Sequence, residues 1–174
     1  ERIAVKDKIK ALNDGRRVVI GEGDRQIIIP ASLDDFAAVY EANPNARIVA
    51  GSTDVGLWVT KFMRNIGPVI FIGHLQELKR IAVSESAVQF FAGVSYSEAL
   101  PTIAAHFPHL GELWNRIAGE QIRNMGTIVG NIANGSPIGD APPPFTALGA
   151  RLTLRRGEQR REIALEDYFI AYGK

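Results

Sequence analysis

Gly126-Thr-Ile-Val-Gly-Asn-Ile-Ala-Asn-Gly-Ser-Pro-Ile-Gly-Asp140 is the stretch on which the reading of this chain turns. Glycines at 126, 130 and 135, asparagines at 131 and 134 and hydroxyls at 127 and 136 give it more hydrogen-bonding groups than a loop facing only water needs. Ile128, Val129, Ile132 and Ile138 lie among them and anchor the segment in a core, so its polar groups are fixed and can serve a polar ligand. The mixture of Gly, Asn, Ser and Pro predicts an ordered, irregular loop from Gly126 to Pro144. A plainer reading stays open, in which Asn134-Gly135 is a turn and Pro137 a rigid bend.

A second glycine-rich segment, Gly51-Ser-Thr-Asp-Val-Gly56, follows Arg47-Ile-Val-Ala50, which reads as a buried strand, and precedes a predicted short helix from Val55 to Phe62. Where a strand turns into a helix several backbone N–H groups lack partners, and glycines let a ligand approach the backbone, so the segment can cradle an anion. It can equally be a tight turn in which Ser52, Thr53 or Asp54 only caps the helix.

Outward from these two loops the chain alternates short elements. Val18-Val-Ile20 and Ile27-Ile-Ile29, separated by Gly21-Glu-Gly-Asp24 and closed by Pro30, read as edge strands within an N-terminal tail. Ser32 and Asp35 have capping-box spacing, and Leu33, Phe36, Ala37 and Tyr40 make one helical stripe that ends before Asn43-Pro44. Strands are predicted over Val69–Ile72, Leu78–Val83 and Val88–Ala92. Ser95 with Glu98 opens a helix to about His106, stopped by Pro108, and Leu110–Ala118 is a further helical segment. Pro142-Pro-Pro144 starts a helix with Gly149 at C′, and Arg151–Leu154 and Glu162–Leu165 flank Gly157 as a hairpin. The arginines at 151, 155, 156, 160 and 161 alternate mostly toward solvent, and Trp58 and Trp114 read as core.

The chain has 174 residues, 46% hydrophobic and 22% charged, with a net charge of +1 and no cysteine. It is long enough for a core, and its charge is too small for non-specific nucleic-acid binding or steering to anionic membranes. Without cysteine there is no thiolate catalysis, no Cys-ligated zinc and no iron–sulfur cluster held by these residues. No run reaches the roughly 18 apolar residues of a membrane span, and a soluble, cytoplasmic piece of a longer polypeptide is expected. Gly21-Glu-Gly-Asp-Arg-Gln26 lacks the third glycine of a Rossmann fingerprint, and no GxxxxGK[ST] or G-x-S-x-G occurs. Pro108 breaks the helix that would align His106 with His109 for a metal, and His74 reads as a structural polar cap.

Arg47 to Lys61 and Arg116 to Asp140, at this order and separation, closely resemble the FAD-binding domain of the xanthine dehydrogenases, in particular the small subunit of the bacterial two-subunit enzymes. The resemblance covers residues 27 to 174. It implies an α+β, PCMH-type (vanillyl-alcohol oxidase-like) FAD-binding fold. The expected division is a tail over 1–26, a small α/β subdomain over 27–85, and a larger subdomain over 86–174 with an antiparallel sheet and helices. It implies that the pyrophosphate lies on the backbone of Ile48, Val49, Ala50, Gly51, Ser52, Thr53, Asp54 and Val55. Ile117 would pack near the flavin ring, where some relatives carry an aromatic residue, and Thr127 would supply a hydroxyl contact. Asp140 would meet the ring and ribityl region, with Gly130 and Asn131 lining the same cleft. No catalytic acid or base and no metal ligand is implied in this chain.

The implied activity is electron relay in a hetero-oligomer. A molybdenum centre (molybdopterin) on a large subunit hydroxylates a purine, [2Fe–2S] clusters on other chains or domains carry the electrons, and FAD passes them to NAD⁺. The cluster domain and the third domain that completes the flavin site in relatives lie outside these residues, so weak FAD binding by the fragment alone is expected. Two alternatives stand: the FAD subunit of another molybdenum hydroxylase, such as a carbon monoxide dehydrogenase or a nicotinate-type enzyme, and a nucleotide-binding module without redox work.

Overall fold

Short runs of Ile and Val build a four-stranded sheet from β1 (Val18–Ile20), β2 (Ile27–Ile29), β3 (Arg47–Val49) and β4 (Val69–Phe71), in the order β1-β2-β4-β3. The computed structural model from which this is read describes residues 2–12 and 14–171. Glu1, Asn13 and the terminal residues 172–174 of the expected second subdomain lie outside the described residues. β1 pairs with β2 antiparallel, whereas β2 and β3 each run parallel to β4. Of the two expected edge strands only β1 is one; β2 lies inside the sheet, because Ile28 is buried in the core beside Ile70. The segment expected to be a tail is also structured, with helix α1 over Arg2–Ala11 ahead of β1.

Helix α2 (Leu33–Ala42) covers this sheet and buries Val39 against Ile28, Ile70 and Ile72. Ser32 Oγ accepts from the Asp35 N–H, as its spacing predicts, but the Asp35 carboxylate turns to the Ala31 N–H at 2.8 Å and to the Arg17 guanidinium. That ion pair ties the segment before β1 to the first turn of α2. His74 Nε2 lies 2.6 Å from the Pro30 carbonyl, the structural role expected of it. Helix α3 (Val55–Thr60) follows β3, and the Arg47 guanidinium lies 5.0 Å from the ring centre of its half-buried Trp58. Residues 78–83 are not one strand: Gln76–Leu78 form a 3₁₀ turn and strand β5 is Ile81–Val83, paired antiparallel with β6 (Val88–Phe90).

The second core forms around Trp114, which is fully buried. Ser95 and Glu98 complete a reciprocal capping box at the start of α4 (Tyr96–His106). Helices α5 (Gly111–Arg116) and α6 (Glu120–Met125) follow, the latter unforeseen. The stretch from Gly126 is not irregular as expected. Thr127 caps a helix, α7 (Ile128–Asn134), that buries Ile128 and Ile132 and ends on a left-handed Gly135, while Ile138, expected to anchor the segment with them, lies beyond the helix and is exposed. Its apolar positions 128 and 132 are four apart, the spacing of one helix face, and this outweighs the loop-like composition. Pro142 begins α8 (Pro142–Ala147), with a left-handed Gly149 after it. Strands β7 (Arg151–Arg156) and β8 (Gln159–Ala164) form the hairpin, longer than predicted. Arg155 departs from the solvated reading: its side chain is 17% exposed and pairs with Asp34 of α2 at 2.7 Å, so it links hairpin to sheet domain.

The whole is α+β, with one parallel-containing sheet and two antiparallel ribbons. Among the described residues, no helix is long and apolar enough to cross a membrane.

The Trp114 ring lies 5.3 Å from Tyr96 and 6.0 Å from Phe145, and its indole N–H donates to the Tyr96 carbonyl at 2.9 Å. Trp114→Ala is therefore expected to cost about 3–5 kcal/mol in urea unfolding, with Trp114→Phe intermediate because it strands that carbonyl. The Arg17 guanidinium, with help from the Ala31 N–H, holds the Asp35 carboxyl below its ordinary value of 3.8, and partial burial opposes this. A lowered acid contributes stability that is present above pH 3.8 and lost as pH falls through the folded value. Asp35→Asn should thus lose up to about 1 kcal/mol at pH 7 and no more than a fraction of that near pH 2, read from urea midpoints at both pH values.

Candidate functional site

Two backbone contacts set the geometry of the site. The Tyr96 N–H donates to the Gly126 carbonyl and the Ile128 N–H to the Val94 carbonyl, both at 3.1 Å, so residues 94–96 and 126–128 run antiparallel. The loop after β3 then lies across the end of α6, so close that a Cβ on Gly51 would stand 1.7 Å from the Met125 carbonyl oxygen. Only glycine permits that approach.

Between the two loops lies a cleft of about 170 Å³. Ile48, Val49, Ala50, Gly51, Ser52, Thr53, Asp54 and Val55 form one wall, and Ile117, Thr127, Gly130, Asn131 and Asp140 are among the residues of the other. Every position singled out from the sequence thus faces one space. Five residues that the sequence reading did not choose complete the lining: Tyr96, Ala118, Ile122, Gly126 and Asn134. Val49, Tyr96, Ile117 and Thr127 are buried, whereas Ser52, Asp54 and Asp140 are exposed.

The walls are held by specific bonds. Thr127 Oγ1 accepts from the Gly130 N–H at 3.1 Å, and a Cβ on Gly130 would stand 2.5 Å from that oxygen, which accounts for a threonine and a glycine three apart. Asn131 Oδ1 accepts from the Ala141 N–H at 3.1 Å and holds the Asp140 turn against α7. Asn134 Nδ2 donates to Asp54 Oδ2 at 3.0 Å, bridging the two loops at the rim. Arg123 donates to the carbonyls of Ile117 at 2.8 Å and Ala118 at 2.6 Å. Ser52 and Ala118 are non-glycine residues with left-handed backbones, φ 57° and 47°, and both line the cleft. Such strain costs on the order of 1–3 kcal/mol each, and the Arg123 clamp helps to maintain it at Ala118.

Among the described residues, no lysine or arginine lines the cleft. Its titratable groups are Asp54, Asp140 and Tyr96, whose phenol is pushed up by burial first and by the Asp140 charge second. Among the described residues, the backbone N–H groups of Gly51, Ser52, Thr53 and Asp54 donate to no protein acceptor. Four adjacent N–H dipoles on one wall can hold an anionic group, and the Asp140 carboxylate on the other can only accept hydrogen bonds. No group of three or more His, Cys, Asp or Glu with metal-holding geometry occurs among the described residues.

Tyr96, Ala118 and Arg123 carried no sequence signal: Tyr96 reaches the cleft by pairing with residue 126, thirty residues on, and the Arg123 contacts to Ile117 and Ala118, six and five residues back, belong to no recognised cap or turn motif. Asn134 sat within the polar density of the second segment and could have been chosen with Asn131.

Comparison with known proteins gives the site its context. The profile described as "FAD binding domain in molybdopterin dehydrogenase" matches residues 23–174. The chain is 30% identical over 176 residues to "Xanthine dehydrogenase/oxidase" of Gallus gallus, an alignment of 93% of this chain and 13% of that protein. It is also 30% identical over 155 residues to "Nicotinate dehydrogenase FAD-subunit" of Eubacterium barkeri, covering 86% of this chain and 52% of the subunit. Among solved structures, "Reconstituted CO dehydrogenase from Oligotropha carboxidovorans" superposes with a TM-score of 0.78 at 28% identity, over 90% of this chain and 55% of that one. The chain therefore spans about half the length of the separate subunits it matches and a small part of the long xanthine dehydrogenases. With the fold, the paired loops and this profile in agreement, the chain belongs to the FAD-binding domains of the molybdopterin dehydrogenases.

Proposed function

We propose that the cleft holds FAD through the thirteen residues singled out from the sequence. In this reading the chain is the flavin domain of a cytoplasmic xanthine dehydrogenase and relays electrons from iron–sulfur clusters and a molybdopterin centre on partner chains or domains to NAD⁺. The observation that carries it is the meeting, across one cleft, of four unpaired N–H groups at Gly51–Asp54 with the Thr127–Asp140 wall.

The residues present fit this cofactor. Backbone N–H dipoles can take the pyrophosphate without a cation. Asp140, an acceptor only, suits the hydroxyl or N–H donors of the ribityl and ring region and is unsuited to phosphate. Buried Ile117 offers an aliphatic face that packs on a ring without stacking, and Thr127 has a lone pair engaged by Gly130 and its O–H still to give. Bound there, FAD supplies the redox chemistry by exchanging electrons singly or in pairs. The protein's own part is to hold, orient and shield, with no proton-transfer residue needed in the loops.

The division of the chain at about residue 85 is supported by two separate apolar clusters, one around Ile70 and one around Trp114, with the β5–β6 hairpin running across the boundary. The equal identity to a nicotinate dehydrogenase FAD-subunit favours a second reading, the flavin subunit of another molybdenum hydroxylase.

Two measurements test these statements. In the full-length subunit, Gly51→Ala should reduce bound FAD by roughly tenfold or more, since the first loop must retreat from Met125. Gly56→Ala, whose added Cβ meets nothing within 4 Å, should stay near wild type; equal flavin content in both variants would remove the cleft from the FAD site. In the complete assembly, xanthine should reduce NAD⁺, while turnover of nicotinate or CO without xanthine activity would establish the second reading.

A further inference from the structure

Tyr96 begins α4, and its ring is wedged between Trp114, at a centroid distance of 5.3 Å, and the backbone of Gly126. The residue is 3% exposed and lines the cleft, yet its hydroxyl has no hydrogen-bond partner. Buried side-chain hydroxyls are ordinarily paired, and this is the single unpaired one among the described residues. Other polar side chains of the lining bond elsewhere: Thr127 Oγ1 accepts from Gly130, Asn131 Oδ1 accepts from Ala141, and Asn134 donates to Asp54.

Resting on the FAD reading of the cleft, we propose that Tyr96 is a further cofactor-binding residue, whose hydroxyl donates a hydrogen bond to an oxygen of the ribityl–pyrophosphate chain. The position is appropriate. The same lining contains Thr53 of the first loop and Asp140 of the second, so a ligand that spans the N–H cradle and Asp140 shares its cleft with Tyr96. The chemistry matches as well. Burial and the Asp140 charge keep the phenol protonated, so it remains a neutral donor where two carboxylates can only accept. Without ligand the orphaned hydroxyl works against the fold; with ligand it is satisfied, so its contribution is confined to the bound state.

This confinement gives the test an unusual sign. The full-length subunit is stripped of flavin, and FAD binding is followed by flavin fluorescence for wild type and Tyr96→Phe, together with the Tm of each apo and FAD-loaded protein. The phenylalanine keeps the ring between Trp114 and Gly126. Tyr96→Phe is expected to weaken FAD binding by about three- to tenfold, the loss of one neutral hydrogen bond, while the apo Tm stays level or rises. Unchanged FAD affinity in Tyr96→Phe overturns the proposal. A lower apo Tm with an undiminished FAD-induced shift also overturns it, and identifies a bridging water as the partner instead. If wild type itself fails to take up FAD, the reading of the cleft falls and the Tyr96 proposal with it, whereas unchanged affinity in Tyr96→Phe with FAD bound by wild type overturns the proposal alone.

Discussion

The site depends on one steric constraint, the contact of Gly51 with the Met125 carbonyl. Any side chain at position 51 would overlap that oxygen, so the loop after β3 reaches the end of α6 only because its residue there has none. Through this contact the small sheet and the elements packed around Trp114 share a cleft, lined by Ser52, Thr53 and Asp54 from one and Thr127, Asn131 and Asp140 from the other. A second link, the Asn134–Asp54 hydrogen bond, closes the rim, and the Arg155–Asp34 ion pair joins the two halves on another surface.

Rigidity on the Thr127 wall comes from a different source. The reciprocal Ser95–Glu98 cap, the antiparallel pairing of 94–96 with 126–128 and the Trp114 indole bond to the Tyr96 carbonyl all converge on a few residues. They hold the polar groups of α7 and the Asp140 turn in position before any ligand arrives, so little ordering remains to be done on binding. The left-handed Ser52 and Ala118 are the strained points of this arrangement, and both are at the cleft.

Much of this was legible in the residues. The two glycine-rich segments are local signals, since a turn that needs missing side chains must spend glycines, and both border the cleft; the thirteen positions that line it, Ile48 to Ala50 and Ile117 among them, came through the family resemblance rather than from those segments alone. The Ser95–Glu98 box, the Pro142 start, the Gly149 stop and the β7–β8 hairpin are also set by neighbours within a few residues. Misreadings have equally specific causes. The helix α7 was hidden by Gly130, Asn131 and Asn134, residues with poor helical propensity, and it forms because Ile128 and Ile132 gain burial in the Trp114 core. Pro30 at its end gives β2 the signature of an edge strand, but its pairing with β4, Ile27 to Val69, is a long-range event that no local signal carries.

By itself the sequence determined the local chemistry: where the backbone could turn sharply, which helices begin on a capping hydroxyl, and that no thiolate takes part. Only the tertiary structure decided that the two glycine-rich segments face each other, and that Tyr96 lines the cleft with its hydroxyl buried and without a partner. The physical reason is range. Turn and cap preferences arise from sterics and hydrogen bonds over three or four residues, whereas the approach of residue 51 to residue 125, and the burial that leaves one phenol unsatisfied, exist only once both cores have packed.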